Sequence, residues 1–444
     1  MSVSRMKPST IIGQQLALMG GPKAVEKEEP DLFRWPIVTD EDERAILKVL
    51  HDASMSSQGT TMEFEAKWGE FLGTRYNLGY CNGTAALMGA MYGAGLRRGD
   101  ELIAPSATYW ASAHQALALG ATPVFADVDK DSLCIDPNDI ERHITKRTKA
   151  IMVVHSCGHP CDMDPIMAIA KKHNLKVIED GSHCHGALYK GRKVGAIGDV
   201  CGMSMMTKKA FAIGEAGMLS TNDRKIFEHA MAFGHYKRLP DCVTDPELAK
   251  SVGMPLGGYK FRMNQWSSAM GLVQLKYYPQ RMQEIQDAMN RFWDLVEDVP
   301  GVRSHRPPKD CGTTMGGWYH PIGHYVPEEL DGLSSKTFAE ALRAEGVPAK
   351  TEFNAAEINA PLHLHAVMND VDVYGDGKPT RIAFADRDLR QGPGSLPVTE
   401  GLAGRVITVP WFKHDRPESI ERYAAGFRKV SKHAAELKSF SNQN

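Results

Sequence analysis

Between about residues 75 and 225 the chain alternates short apolar runs with amphipathic segments, and that alternation leaves few folds open. "NLGYCN" precedes "GTAALMGAMYGAG", "DELIAPS" precedes "TYWASAHQALALG" and then "TPVFADVD", and "KAIMVVHS" leads through "MDPIMAIAKKHN" to "LKVIEDGS". A strand that is apolar on both faces must be covered on both, so strands of this kind, each followed by a helical stretch, predict a mostly parallel sheet covered by helices. The fold class expected is therefore α/β. Sheets of this type bind ligands beyond the carboxyl ends of their strands, so the residues just after each apolar run are the informative ones.

Further along, Asn264 to Asp298 reads as one long helix, bent near Pro279. Beyond it, "TMGGWYHPIGHYV", "SKTFAEALRAEGVPAK" and "ESIERYAAGFRKVSKH" predict a smaller α+β domain. The expected division is an N-terminal arm over 1–30, a large domain over 31–300 and a small C-terminal domain over 301–444, with a fraying tail from Ser431. A net charge of −2 gives the chain no general attraction for nucleic acid or an anionic membrane. No window approaches the roughly 20 apolar residues that span a bilayer, and the N-terminus lacks the apolar core of a signal peptide. Eight cysteines in 444 residues suggest no disulfide framework, which fits a reducing, cytoplasmic location.

Four features gather at the expected strand ends. In "CNGTAALMGA", Gly83 and Thr84 open a helix after Asn82; free amides and a hydroxyl there can hold a phosphate, although the same letters make an ordinary helix cap. In "VIEDGSHCHGA", Asp180 ends a strongly apolar strand, where an unpaired carboxylate is costly. It is either a cap or a partner that keeps a ring nitrogen protonated, and His183 follows it. "GMSMMTKK" ends a strand in Ser204 and then two lysines. A lysine desolvated at a strand end can lose its proton and form a Schiff base, whereas a solvated pair does nothing. Finally, "TYWASA" puts Tyr109 and Trp110 past another strand, as a stacking plate or as core. Together these match what pyridoxal phosphate requires: a Schiff-base lysine and an acid at the pyridine nitrogen.

The segments "YCNGTAAL", "GATPVFADVD", "VHSCGHPCDMD", "VIEDGSHCHGA", "SMMTKKAFAIGEAGMLSTND" and "GYKFRMNQWSSAMGL" resemble, in order and spacing, the sugar aminotransferases often called the DegT/StrS family, of fold-type I. The resemblance runs from about Gly20 to Lys429. It implies pyridoxal 5'-phosphate as cofactor and transfer of an amino group from glutamine or glutamate to a keto-cyclitol or keto-sugar. The family's serine-to-lysine spacing selects Lys209, five residues after Ser204, over Lys208, with Ala216 in place of a usual glycine. It also implies Asp180 at the pyridine nitrogen and His183 near the ring hydroxyl. Gly83, Thr84 and Ser204 would hold the phosphate, with Tyr109 on the ring and Trp110 packing. Lys260 and Arg262 fall in a segment that reaches the neighbouring subunit in the family, implying a homodimer with shared sites; Lys260 would contact phosphate and Arg262 substrate. His363, in "NAPLHLH", would lie near substrate. The run "LALMGGPKAV", then "RWP", is similar to members that aminate keto-cyclitols such as scyllo-inosose or that make aminohydroxybenzoate; nucleotide-sugar enzymes of the family usually lack that arm, and a nucleotide-sugar aminotransferase is the alternative reading.

Two rival readings stand beside this one. His155, Cys157, His159 and Cys161, near His183 and His185, are residue types that bind zinc, although their spacing follows no ligand pattern. A non-catalytic regulator of the same fold would need a basic recognition face, which this sequence does not display.

Overall fold

The computed structural model describes residues 13–441 except 28, 236–237, 239–241 and 352–360. Its centre is a seven-stranded sheet of β1 (Tyr76–Tyr80), β2 (Glu101–Pro105), β3 (Thr122–Ala126), β4 (Thr148–Val154), β5 (Lys176–Asp180), β8 (Val200–Ser204) and β9 (Gly217–Thr221); β6 (Leu188–Tyr189) and β7 (Arg192–Lys193) form a separate hairpin. The order across the sheet is β1-β9-β8-β5-β4-β2-β3, and β9 alone runs against the others. Strands β2 and β3 are buried along their whole length, as the unbroken apolar runs require. Register brings the site-bearing ends level: Tyr80 and Ser204 both pair with Gly217, Asp180 with Gly202, and Val154 with Asp180.

Among helices of eight residues or more, α1 (Asp40–His51) and α2 (Gly59–Leu72) precede the sheet; α3 (Gly83–Gly93), α4 (Met163–His173) and α5 (Arg224–Gly234) follow strands within it. Helix α6 (Gln265–Leu295) is a single helix through Pro279. Its first half packs Leu275 and Tyr278 under the sheet, and its second half packs Ile285, Phe292 and Trp293 into another core. That second core lies among β10 (Val302–Ser304), β11 (Ile322–Tyr325), β12 (Val406–Thr408), α7 (Ser335–Ala344), α8 (Pro417–Lys432) and α9 (Ala434–Ser441).

Three expectations change here. The described part of the expected arm is not detached: Leu16 and Val25, with Leu32 just beyond it, lie in the small-domain core, while residues 1–12 of that arm lie outside the described residues. The physical reason is a buried anchor. Glu345 accepts the amides of Ala17 (2.8 Å) and Ala24 (2.9 Å) and pairs with Lys429 at 2.9 Å, and Lys429 also donates to the Pro22 carbonyl. Second, the expected small domain is not one continuous piece. Leu362, Met368 and Leu396 pack into the core of the large sheet. There Gln391 donates to the Phe125 carbonyl (2.7 Å) and accepts its amide (3.0 Å), while Arg381 donates to the Pro123 carbonyl. A side-chain amide thus occupies the pairing groups of edge strand β3. Third, the tail does not fray at Ser431, since α9 buries Leu437 completely.

Candidate active site

The ends of β1, β5 and β8 converge on one spot. Asn82 caps α3 by accepting the Ala85 amide at 2.8 Å. The amides of Gly83 and Thr84, ahead of it, have no acceptor among the described residues. Gly83 is required by crowding: a Cβ there would stand 2.4 Å from the Ser204 Cβ. The first turn of α3 and the end of β8 are therefore pressed together, which places the two amides next to the end of β8 that carries Ser204. Such an N-terminus favours an anion.

Asp180 closes β5 in a buried setting, 5% exposed. Its two carboxylate oxygens accept the Ser112 hydroxyl (2.7 Å) and the Ser182 amide (3.1 Å), and Ser182 Oγ accepts the Ser204 amide (2.9 Å). Each oxygen keeps a lone pair for a further donor. His183, just past it, accepts the Cys157 amide at Nδ1 (3.3 Å). Burial, then the Lys209 charge, holds its imidazole well below the usual range. A neutral ring accepting at Nδ1 carries its proton on Nε2, which makes that atom a donor.

The two lysines part company in space. Lys208 is exposed, whereas Lys209 turns its amine into desolvated surroundings. Burial lowers that amine to about 8, against the opposing pull of Asp180 and Cys157. Its carbonyl accepts the Trp35 indole N–H at 2.9 Å, and its Nζ lies 3.9 Å from the centre of the Tyr319 ring. Tyr319 also meets His183 (4.5 Å) and Trp411 (5.7 Å). Ala216 fits without strain because its φ is not positive, and its carbonyl accepts the Met205 amide.

Gly83, Thr84, Asp180, His183, Ser204 and Lys209 are thus brought to one sheet edge. Tyr109 lies at the rim, 39% exposed, with its ring 4.9 Å from that of Trp110, which packs against the core. Lys260 is exposed and Arg262 half-buried on the far side of β1, where Arg262 bridges to Tyr80 and its Nε has no partner among the described residues. His363 needs correction as a substrate contact. It is completely buried, with Nδ1 on Ser106 (2.8 Å) and Nε2 on Glu400 (3.1 Å), so neither nitrogen is open to a hydroxyl. It braces the end of β2 instead.

The zinc reading also gives way. His155 accepts the Cys161 amide at Nδ1 and donates from Nε2 to Glu179 at 3.1 Å. Burial would raise the Glu179 carboxyl, but His155 and the Gly198 and Gly195 amides outweigh it and hold it low. Among the described residues no three His, Cys, Asp or Glu side chains converge as metal ligands. No helix among them is long and apolar enough to cross a membrane.

Sequence reasoning missed Ser112, Ser182, Trp35 and Tyr319. The two serines stand inside the stretches already singled out; Trp35 lies in the quoted "RWP" and Tyr319 in the quoted "TMGGWYHPIGHYV", but neither segment carries a local sign that it meets Lys209.

Comparison with known proteins agrees with this geometry. The family described as the DegT/DnrJ/EryC1/StrS aminotransferases matches residues 36–428. GDP-perosamine synthase of Caulobacter vibrioides is 32% identical over 361 residues, spanning 78% of this chain and 91% of that one. L-glutamine:scyllo-inosose aminotransferase of Streptomyces griseus is 30% identical over 440 residues, 95% of this chain and 99% of that one. Among solved structures, DesI in the presence of its TDP-sugar product superposes with a TM-score of 0.77 at 27% identity, covering 96% of this chain and 99% of that one. The chain belongs to the DegT/DnrJ/EryC1/StrS aminotransferase family, and it is an aminotransferase that depends on pyridoxal phosphate.

Proposed function

We propose that Lys209 is the amine that holds the cofactor, and that the enzyme moves an amino group from glutamine or glutamate to a keto-cyclitol. The observation that carries this is the Lys209 amine, lowered by burial to about 8 beside the buried Asp180 carboxylate. The residues present fit pyridoxal phosphate. The free amides of Gly83 and Thr84, with the Thr84 and Ser204 hydroxyls, suit its phosphate; Asp180 suits its pyridine nitrogen; Nε2 of His183 suits its ring hydroxyl; Tyr109 has an exposed ring for its face.

When bound, the cofactor would supply the electron sink for the negative charge left on the donor Cα as that carbon loses its proton. Asp180, fixed by Ser112 and Ser182, keeps a proton on the pyridine nitrogen and so maintains that sink. Lys209, once freed, would take the proton from the donor Cα and give it back at the cofactor's C4′, and an amine near 8 suits both roles. The same residue would serve the keto acceptor in the opposite direction. His183 stays neutral and donates rather than competing for that proton.

For the acceptor, the alignment with the scyllo-inosose enzyme over 95% of this chain and 99% of that one supports a keto-cyclitol; the match to DesI, solved with its TDP-sugar product, over 96% of this chain makes a nucleotide-linked keto sugar the second reading. A homodimer is part of the proposal, with Lys260 and Arg262 of each copy serving the site of the other. Exposed Leu47, Leu50, Met62 and Trp266 on α1, α2 and the start of α6, helices that pack together, support a second copy seated there. A cytoplasmic setting accords with eight cysteines outside any disulfide.

The test is the visible spectrum of the protein purified with pyridoxal phosphate. Glutamine or glutamate should shift the band to that of the aminated cofactor, and scyllo-inosose should restore it while a nucleotide-linked keto sugar does not. Lys209→Ala should abolish turnover with the fold intact; a band indifferent to every amino donor would sink the proposal.

A further inference from the structure

We infer that Tyr319 is a positioning residue for this reaction: its ring is the resting place of the Lys209 amine whenever that amine is not bonded to the cofactor. The inference rests on the assignment of Lys209 made above.

During turnover the amine must be released from the cofactor and yet stay within reach of the atoms between which it moves a proton. A free lysine amine on a four-carbon stem would otherwise swing to solvent. Nζ of Lys209 lies 3.9 Å from the centre of the Tyr319 ring, a distance at which an aromatic face attracts an ammonium group. The same ring contacts His183 at 4.5 Å, so the resting amine remains at the edge of the cradle rather than outside it.

The segment that carries Tyr319 is built under strain. Trp318 (φ 54°) and His320 (φ 52°), on either side, are both left-handed although neither is glycine, a conformation that persists only where surrounding structure enforces it. Two glycines admit the enforcing contacts: a Cβ on Gly316 would stand 2.5 Å from the His185 carbonyl oxygen, and one on Gly317 2.4 Å from the Ala210 Cβ. Ala210 is the residue after Lys209, so the segment is pressed against the lysine's own loop. The Gly317 carbonyl accepts the Trp411 indole N–H at 3.0 Å, and Trp411 packs edge-on against Tyr319. Tyr319 is 6% exposed, and no described residue takes up its hydroxyl. The ring face, not the hydroxyl, is what this construction delivers to Lys209.

The other groups acting on the amine are Asp180 from β5, Cys157 from the loop after β4, and His183 and His185 beyond β5. All are unchanged in a Tyr319 variant, so a difference reports the ring. The full-length protein is converted with glutamate to its aminated-cofactor form, in which Lys209 is free. It is then pulsed with acetic anhydride between pH 6 and 10, and acetylation of the Lys209 peptide is read by mass spectrometry. The parent sets the reference midpoint, below that of a solvated lysine because the amine is buried. Tyr319→Phe keeps the face and should match it within about 0.3 unit, while Tyr319→Leu should titrate about one unit lower, since losing the ring removes stabilisation of the charged form. Tyr319→Met replaces the leucine variant if that one does not fold. A leucine or methionine variant titrating with the parent overturns the inference, as does a phenylalanine variant that falls with them. Acetylation of Lys209 at equal rate before glutamate is added overturns the assignment of Lys209 itself, which is a separate result.

Discussion

Replacing Lys429 by methionine tests the anchor that ties the N-terminal segment to the small domain. The Lys429 ammonium and Glu345 carboxylate are both fully buried at 2.9 Å, and the carboxylate also accepts the Ala17 and Ala24 amides. Methionine preserves most of the volume and removes the charge, stranding the carboxylate. Breaking one partner of a buried pair costs about 3–5 kcal/mol. The two amides persist here, so the lower end, about 3 kcal/mol, is expected. In a domain of this size each kcal/mol moves the melting midpoint by roughly 2–4 °C, which gives a fall of roughly 6–12 °C. Adding Glu345→Gln removes the stranded charge and should recover about half of the loss or more. Thermal unfolding of the three proteins is the assay, with limited proteolysis before Trp35 as a local readout. A Lys429→Met protein melting within about 2 °C of the parent would refute the reasoning, because the pair would then carry no net stabilisation.

Other outcomes follow from the site. Lys209, lowered to about 8, is mostly protonated below that pH, so the donor half-reaction should climb about tenfold per unit up to it and level off above; stopped-flow rates flat between pH 6 and 9 would contradict this. Asp180→Asn keeps an acceptor for Ser112 but removes the charge, and should lower kcat by about 100-fold or more while the cofactor still binds; a near-normal kcat would remove Asp180 from its proposed role. Gly83→Ala drives a Cβ to 2.4 Å from Ser204, so it should cost about 1–3 kcal/mol and weaken cofactor binding, measured by fluorescence titration. An unaltered affinity would show that the cradle tolerates the shift.

What the sequence displayed was whatever depends on neighbours along the chain. Apolar runs fixed the strands, and the groups just past them, Gly83, Asp180, His183, Ser204 and Lys209, were found because the carboxyl ends of parallel strands share one edge. The resemblance to the family's serine-to-lysine spacing picked Lys209 over Lys208, and the two lysines differ in burial. What stayed hidden depends on contacts far apart in sequence. Trp35 reaches the Lys209 carbonyl across 174 positions, and Ser112 reaches Asp180 across 68. His363 reads as an open polar side chain until Ser106, 257 positions away, takes its ring. The N-terminal segment looked detached because Glu345 and Lys429, the residues that bury it, stand beyond residue 340 and carry no local signal.

The amide of Gln391 that covers edge strand β3 has a consequence in time. Gln391 follows Phe125 by 266 positions. At 5–20 residues per second, a ribosome needs roughly 13–53 seconds to deliver it. Throughout that interval the nascent sheet lacks the side chain that satisfies Phe125, and its free edge can recruit a strand from another nascent chain. Slower synthesis over the second half of the message should therefore lengthen the exposure of that edge.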